Sequence, residues 1–255
     1  MSIMIQAFTT LPPWIQILLI CVHGGLVLGL AWWGMQWLAA RAKGRPDRIP
    51  VGPYFVSVTT LYALFLAFHA STIWTRQHAA EQAFEEAVTA IARLESLFGH
   101  EGLGLEQARL HLADYVDAVV NEEWASGNTR ASARASQALA NLRQDLIQTS
   151  PLVPTALGNH LWRVFDDVVD ARNGRLWIGS HGRSENSWGL VLVLGLLAHM
   201  AIGWVHADRT AAGTLALALF AVTTSAAYWH LLQASDPFAH LETSTYFKAL
   251  AGHAR

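Results

Sequence analysis

Residues 57–74 read SVTTLYALFLAFHASTIW, and the chain runs on from there as TRQHAAEQAFEEAVTAIARLESLF to Phe98 with no Gly or Pro to break it. The first part is apolar enough to cross a bilayer, although it contains His69. The second part is charged, with apolar residues only on one seam: Phe84, Ala87, Ile91, Leu94 and Phe98 step by three and four, the spacing of a packed helix face. A helix from Tyr54 to Phe98 would be about 65 Å long at 1.5 Å per residue. Hydrocarbon is only about 30 Å thick, so roughly half of that helix must stand outside the membrane.

The rest of the chain fits this reading. Of 255 residues, 53% are hydrophobic and 14% charged, against about 25% charged in an average soluble domain. Residues 13–40, 53–75, 187–207 and 211–235 contain no Asp, Glu, Lys or Arg. Each run is near the roughly 20 residues that span a bilayer. They predict four transmembrane helices, at about 14–38, 54–74, 188–206 and 212–234. Trp14 and Trp37, Tyr54 and Trp74, and Trp188 and Trp204 bracket the first three at headgroup level. The N-terminus MSIMIQAFTTLPPW lacks the basic residues of a signal peptide, so the first run is expected to be retained. Cys21 is the only cysteine, which excludes an intrachain disulfide. A net charge of −2 gives no basic surface for nucleic acid.

The connection RAKGRPDRIP carries Arg41, Lys43, Arg45 and Arg48 against Asp47, and the last short connection carries Arg209. The positive-inside rule places both in the cytoplasm and residues 76–186 outside. That middle segment holds ten Arg and fifteen Asp or Glu, a net −5. It predicts a bundle of four helices at about 76–98, 105–125, 130–148 and 155–178. The inward faces are Leu105, Ala108, Leu112, Tyr115 and Val119; then Ala135, Ala138, Leu142 and Leu146; then Leu157, Leu161, Val164, Val168 and Ala171. The glycines of GSHGRSEN suggest a hinge after the fourth helix. The fold class is an all-α membrane protein: residues 1–75 with two spans, 76–186 as an extramembrane helical domain, 187–235 with two more spans, and a tail at 236–255.

TTLYALFLAF with Trp74, the run YVDAVVNEEW, the segment DARNGRLW and the near-terminal DPF occur in order across about 50–240. In this the chain resembles an uncharacterised bacterial membrane family described as bestrophin-like. The matching residues include Trp74, Tyr115, Glu122, Glu123, Trp124, Arg172, Asp236, Pro237 and Phe238. The family pattern has an apolar residue where His69 stands, and D-H-P-F-S-G where this chain has SDPFAH. The resemblance implies kinship with pentameric anion channels, hence a homo-oligomer in the inner membrane. Bestrophins keep the large region between spans two and three in the cytoplasm, opposite to the side the charges favour here.

Two sets of intramembrane residues are candidates for function. At about 100° per residue, Thr60, Ala63, Ala67, Ser71 and Thr75 form a small, weakly polar stripe on the second span, shared with Leu64 and Trp74. Such a stripe serves close helix packing or a water-filled path. If it lines a pore, Leu64 is the expected constriction. His69 lies on the opposite side with Val58, Phe65, Leu66 and Ile73. The second set is His23, His69, His199 and His230, each either hydrogen-bonded to a neighbouring helix or titrating as a proton sensor. The matched depths of His23 and His69 also allow a metal or haem, though no motif calls for a cofactor. In the bundle, Asp166 and Asp170 are one turn apart and could share a hard cation, with Arg163 placed to pair with Asp166 or Asp167. No nucleophile elbow, zinc-binding HExxH or phosphate-binding glycine loop occurs. These features predict an oligomeric channel or pore-forming transporter; the resemblance implies anions, whereas the net-negative bundle, if it lies at the mouth, mildly favours cations. The alternative is a non-conducting sensor whose bundle binds a partner.

Overall fold

The structure is a computed structural model that describes residues 8, 11–42, 49–99, 102–181, 185–238 and 241. Its main helices are α1 (Pro13–Arg41), α2 (Gly52–Phe98), α3 (Glu106–Ala118), α4 (Ala133–Thr149), α5 (Thr155–His181), α6 (Glu185–Val205) and α7 (Thr210–Gln233). A π-helical turn, Val119–Trp124, follows α3 directly. No strand occurs among the described residues. α1, α2, α6 and α7 are each long and apolar enough to cross a membrane. The basic connection at 43–48 and the middle of the expected hinge, 182–184, lie outside the described residues, as does nearly all of the tail beyond Phe238.

The chain divides into two compact units, residues 1–75 with 183–236, and residues 76–182 with 237–255. α2 is one helix of 47 residues, about 70 Å long, and contributes its first half to one unit and its second half to the other.

The membrane unit is held by small residues and aromatic rings rather than by amphipathic faces. α1 and α6 are apolar all round, as expected of helices whose outer face meets lipid. Ala31 and Met35 of α1, Ile202 of α6 and Leu217 of α7 form one buried cluster. Close approach there depends on Gly203, whose absent Cβ would sit 3.0 Å from the Ala31 carbonyl oxygen. A second cluster gathers Tyr62, Ala70 and Ile73 of α2, Trp188, Val191 and Ala198 of α6, and Tyr228 and Leu231 of α7. Gln16, buried near the start of α1, accepts a hydrogen bond from Gln233 at the end of α7 and donates to the Leu11 carbonyl at 2.8 Å.

The helical unit has a conventional core. Ile91, Leu94 and Phe98 of α2 meet Leu112, Tyr115 and Val119, then Leu142 and Leu146 of α4, and Leu161, Val164 and Val168 of α5. The faces expected from periodicity are the ones packed, except that Leu157 is only half-buried and lies outside this core. Ser132 caps α4 by accepting the Ala135 N–H at 3.0 Å. Two expectations need correction. α5 does not end at 178 but continues to His181, so Gly179 is inside a helix rather than in a hinge. Its lack of a side chain serves packing: a Cβ would lie 2.2 Å from the Asn128 carbonyl oxygen. Arg163 does not pair with Asp166 or Asp167. It donates to the Asn159 carbonyl of its own helix, while Asp167 faces Arg93 of α2 at 3.9 Å.

Candidate functional site

In the membrane unit, the two sides of α2 differ sharply. Tyr62, His69, Ala70 and Ile73 are buried against α6 and α7, whereas Thr60, Ala63, Ala67, Ser71 and Thr75 are all exposed on the opposite side. Leu64 is 50% exposed and lies within that stripe. The Thr75 hydroxyl donates to the Ser71 carbonyl at 2.9 Å, a bond within the helix that satisfies the donor without a partner helix. Trp74 is also exposed.

The buried side of α2 is built on hydroxyls and rings. Tyr62 donates to the Tyr228 hydroxyl at 3.0 Å, and Tyr228 donates to the Val191 carbonyl at 3.4 Å. Gly195 leaves the room: a Cβ there would meet the Tyr228 hydroxyl at 2.3 Å and the Tyr62 ring at 3.3 Å. The histidines occupy different settings. His69 packs edge-on to Trp188, with centroids 4.5 Å apart. His23 lies against Tyr228 at 5.9 Å. His199 is buried, with Nδ1 2.7 Å from the Gly195 carbonyl, so Nδ1 carries the proton, and its ring rests on Phe220. His230 is exposed on α7. Each of the buried rings thus has its own aromatic neighbour. No group of three or more metal-ligating side chains occurs among the described residues, and Asp166 and Asp170 are both exposed.

In the helical unit, the π-turn Val119–Trp124 lies inside the segment YVDAVVNEEW. Such a turn inserts one residue into the helical ladder and re-aims the side chains around it. Here Glu123 is wholly buried. Its Oε1 accepts from Arg172 Nη2 at 2.6 Å, from Arg172 Nε at 3.0 Å and from the Ser132 backbone N–H at 3.0 Å. Its Oε2 accepts from Arg175 Nη2 at 2.7 Å. Arg172 also donates to the Ser132 carbonyl and to Ser136 Oγ. One carboxylate therefore joins the π-turn, the α4 cap and two successive turns of α5. The neighbouring Glu122 is exposed and accepts from the Ser132 hydroxyl at 2.5 Å.

Arg175 is 1% exposed, and burial holds its guanidinium pKa below the usual arginine value, partly offset by the nearby Glu123 carboxylate. Trp124 lies beside it, with the guanidinium carbon 5.5 Å from the ring centre. The Trp124 indole in turn meets Phe84 and Phe238 edge-on, at 5.8 and 5.4 Å. This gives the near-terminal DPF motif a structural role at its Phe. After the π-turn the chain reverses through Gly127 and Asn128, both with positive φ. The Asn128 N–H bonds the Glu123 carbonyl at 2.8 Å. Sequence reasoning flagged Glu123, Trp124 and Arg172 but missed Arg175, Asn128, Ser132 and Gly179. The available signal was two arginines, three residues apart, on the otherwise apolar face of α5 that begins with Val168 and Ala171.

Tyr115 sits in the same region, and burial pushes its phenol up to about 12, with the two arginines pulling the other way. Below pH 10 the phenol is protonated in both folded and unfolded chains. Between pH 10 and 12 the unfolded chain releases a proton that the folded one keeps, so stability falls by about 1.4 kcal/mol per pH unit. Alkaline unfolding of Tyr115→Phe is therefore expected to begin at higher pH than that of the wild type, read by circular dichroism across pH 9–12. Coincident curves would contradict this.

The fold and these two sites define a four-span helical membrane protein with a helical domain organised around one buried carboxylate. The family model described as Bestrophin-like domain matches residues 21–239, and the chain belongs to that family. No curated protein sequence matches it. Among solved structures it is similar to a bacterial bestrophin homologue from Klebsiella pneumoniae, in two single-substitution variants. One gives a TM-score of 0.68 at 12% identity, covering 92% of this chain and 96% of that one. The other gives 0.67 at 12%, covering 94% and 96%. A structure described as a membrane protein gives 0.66 at 13%, covering 94% and 95%. At such identities the likeness speaks for the fold.

Proposed function

We propose that the chain assembles into a homo-oligomeric ring in the inner membrane and conducts ions, with α2 lining the path. The observation that carries this is the exposure of Thr60, Ala63, Ala67, Ser71 and Thr75 on the side of α2 opposite its packed side. Small and hydroxyl-bearing residues leave room for water and ions along a helix face, and four spans in one chain enclose too little for a conduction path. A ring of copies turns that side to a shared lumen, and Leu64 then narrows it. Kinship with bestrophins favours anions. The cation count of the connections favours residues 76–186 lying outside the cytoplasm. A phosphatase reporter inserted beside Leu152, 83% exposed between α4 and α5, is active in that arrangement and silent in the reverse one.

Cysteine labelling tests the lumen. Cys21 is exposed and is first replaced by Ser. Thr60→Cys and Ser71→Cys should then react with a charged, membrane-impermeant thiol reagent much faster than Leu219→Cys, an exposed position on α7. Flux from liposomes carrying Ser71→Cys should fall to near background after reaction. Equal labelling of Ser71→Cys and Leu219→Cys, or liposomes that pass no ions under any tested salt, would overturn the reading and leave a non-conducting membrane protein.

A further inference from the structure

α1 ends on a cation with no charged protein partner. Arg41 is exposed in the last turn, with its guanidinium carbon 4.0 Å above the centre of the Trp37 ring. Among the described residues it makes no hydrogen bond or ion pair. Contact with the ring occupies one face of the guanidinium and leaves its N–H edges open. α1 is 29 residues long, about 43 Å at 1.5 Å per residue, which matches the roughly 40–45 Å of hydrocarbon plus both headgroup layers. Its last residue therefore stands at the level of the lipid phosphates, with Trp37 about 6 Å and Trp33 about 12 Å deeper.

The same side of α1 continues into the bilayer. Leu26, Leu30, Trp33, Trp37 and Arg41 step by four, three, four and four, which keeps them within about 80° of one another at 100° per residue. All five are exposed, Trp33 and Leu26 by 63% each. Along that side a cation is followed by two indoles and then by aliphatic chains, over about 22 Å. One phospholipid in one leaflet has the same order and length: phosphate, then ester oxygens, then acyl chains, over half the bilayer. The charge fits as well. Residues 43–48, which follow in the sequence, add Lys43, Arg45 and Arg48 against Asp47, and an excess of cations at the end of a span draws anionic lipid.

We propose that this side of α1 is a binding site for an anionic phospholipid. The Arg41 N–H groups hold its phosphate, which a guanidinium can grip with two parallel hydrogen bonds. The Trp37 and Trp33 indole N–H groups face its ester oxygens, and an acyl chain lies along Leu30 and Leu26. The Trp37 ring keeps the guanidinium in place, so little side-chain freedom is lost when the phosphate binds. The site requires α1 to span the membrane and is independent of whether α2 lines a conducting path.

The test uses the purified full-length protein in detergent, titrated with phosphatidylglycerol or phosphatidylcholine of identical acyl chains, with bound lipids counted by native mass spectrometry. The wild type should prefer phosphatidylglycerol. Arg41→Gln should lower the affinity for it about fivefold, the worth of one cation at an anionic surface. Trp37→Leu keeps the charge, removes the ring and should lose part of the same preference. Arg209 is the control: its side chain is 80% exposed and pairs with Asp208 at 3.6 Å, so Arg209→Gln should leave the preference unchanged. Water-soluble glycerol phosphate at the same concentration should not displace the lipid. Equal binding of the two lipids by the wild type, a loss in Arg209→Gln as large as in Arg41→Gln, or displacement by glycerol phosphate overturns the proposal.

Discussion

Glu123→Gln is expected to cost the helical unit about 3–5 kcal/mol, the effect of removing one partner from a buried charge pair. Gln has the same shape and could keep one acceptor oxygen, so lost packing does not explain the cost. What changes is charge. Arg172 and Arg175, both buried and both within 3.0 Å of Glu123 oxygens, become two like charges with no counter-ion. Burial already works against the Arg175 cation. Since a typical domain is stable by only roughly 5–15 kcal/mol, the loss is a large share of the total. Amide hydrogen exchange on the full-length protein should show residues 119–132 and 168–180 losing protection together, because the same carboxylate ties them. Replacing all three charges at once, with Glu123→Leu, Arg172→Met and Arg175→Met, should recover most of the stability, since an apolar set of similar volume avoids the desolvation cost. An exchange pattern for Glu123→Gln within about 1 kcal/mol of wild type would mean the cluster is hydrated, contrary to the burial of all three side chains.

Much of this fold is legible because lipid imposes a simple rule. A spanning helix excludes charge, so the four uncharged runs fall on the four helices that are long and apolar enough to cross a membrane. In the helical unit the repeat of apolar residues gives the packed faces for a similar reason: Leu142, Leu146 and Leu161 are buried where the period places them. The Glu123 cluster is legible only in fragments. Glu122 and Glu123 read alike in sequence, and it is the π-turn that puts Glu123 inside and leaves Glu122 exposed. That turn is a shift of backbone hydrogen bonds with no side-chain signature of its own. Asn128 reads as a helix stop in ASGNT, which it is; its burial beneath α5 is a tertiary fact. The α2 stripe was visible from helical period, and its exposure in the protomer is what the period could not give. The histidines show the opposite limit. Their depths can be estimated from residue rise, but which ring each one meets depends on helix rotation, which apolar all-round helices do not encode.

Gly179 and Gly174 allow the packing of α5 against Asn128 to be tested with two changes of identical chemistry on one helix. Gly inside a helix costs about 1 kcal/mol relative to Ala, so propensity alone predicts that either Gly→Ala change stabilises α5. At Gly174 a Cβ meets nothing within 4 Å, and Gly174→Ala should add about 1 kcal/mol. At Gly179 the new Cβ would lie 2.2 Å from the Asn128 carbonyl oxygen and 2.6 Å from its carbon. Those are backbone atoms, and they cannot rotate away as a side-chain tip could. Asn128 is itself pinned, by its N–H bond to the Glu123 carbonyl and by its positive φ. Either α5 moves off the reversal or the reversal opens, and in both cases the Arg175 to Glu123 contact stretches. Overpacking of this kind costs about 1–3 kcal/mol and occasionally more, and with the propensity gain of about 1 kcal/mol working against it Gly179→Ala should still be destabilising by about 1 kcal/mol. The opposite signs are the diagnostic result, because a general effect of alanine on α5 would move both variants the same way. Thermal unfolding of the two full-length variants, with exchange protection at residues 123–132, measures them. If Gly179→Ala is as stable as Gly174→Ala, α5 does not press on Asn128, and the buried corner between Arg175 and Asn128 is looser than its geometry indicates.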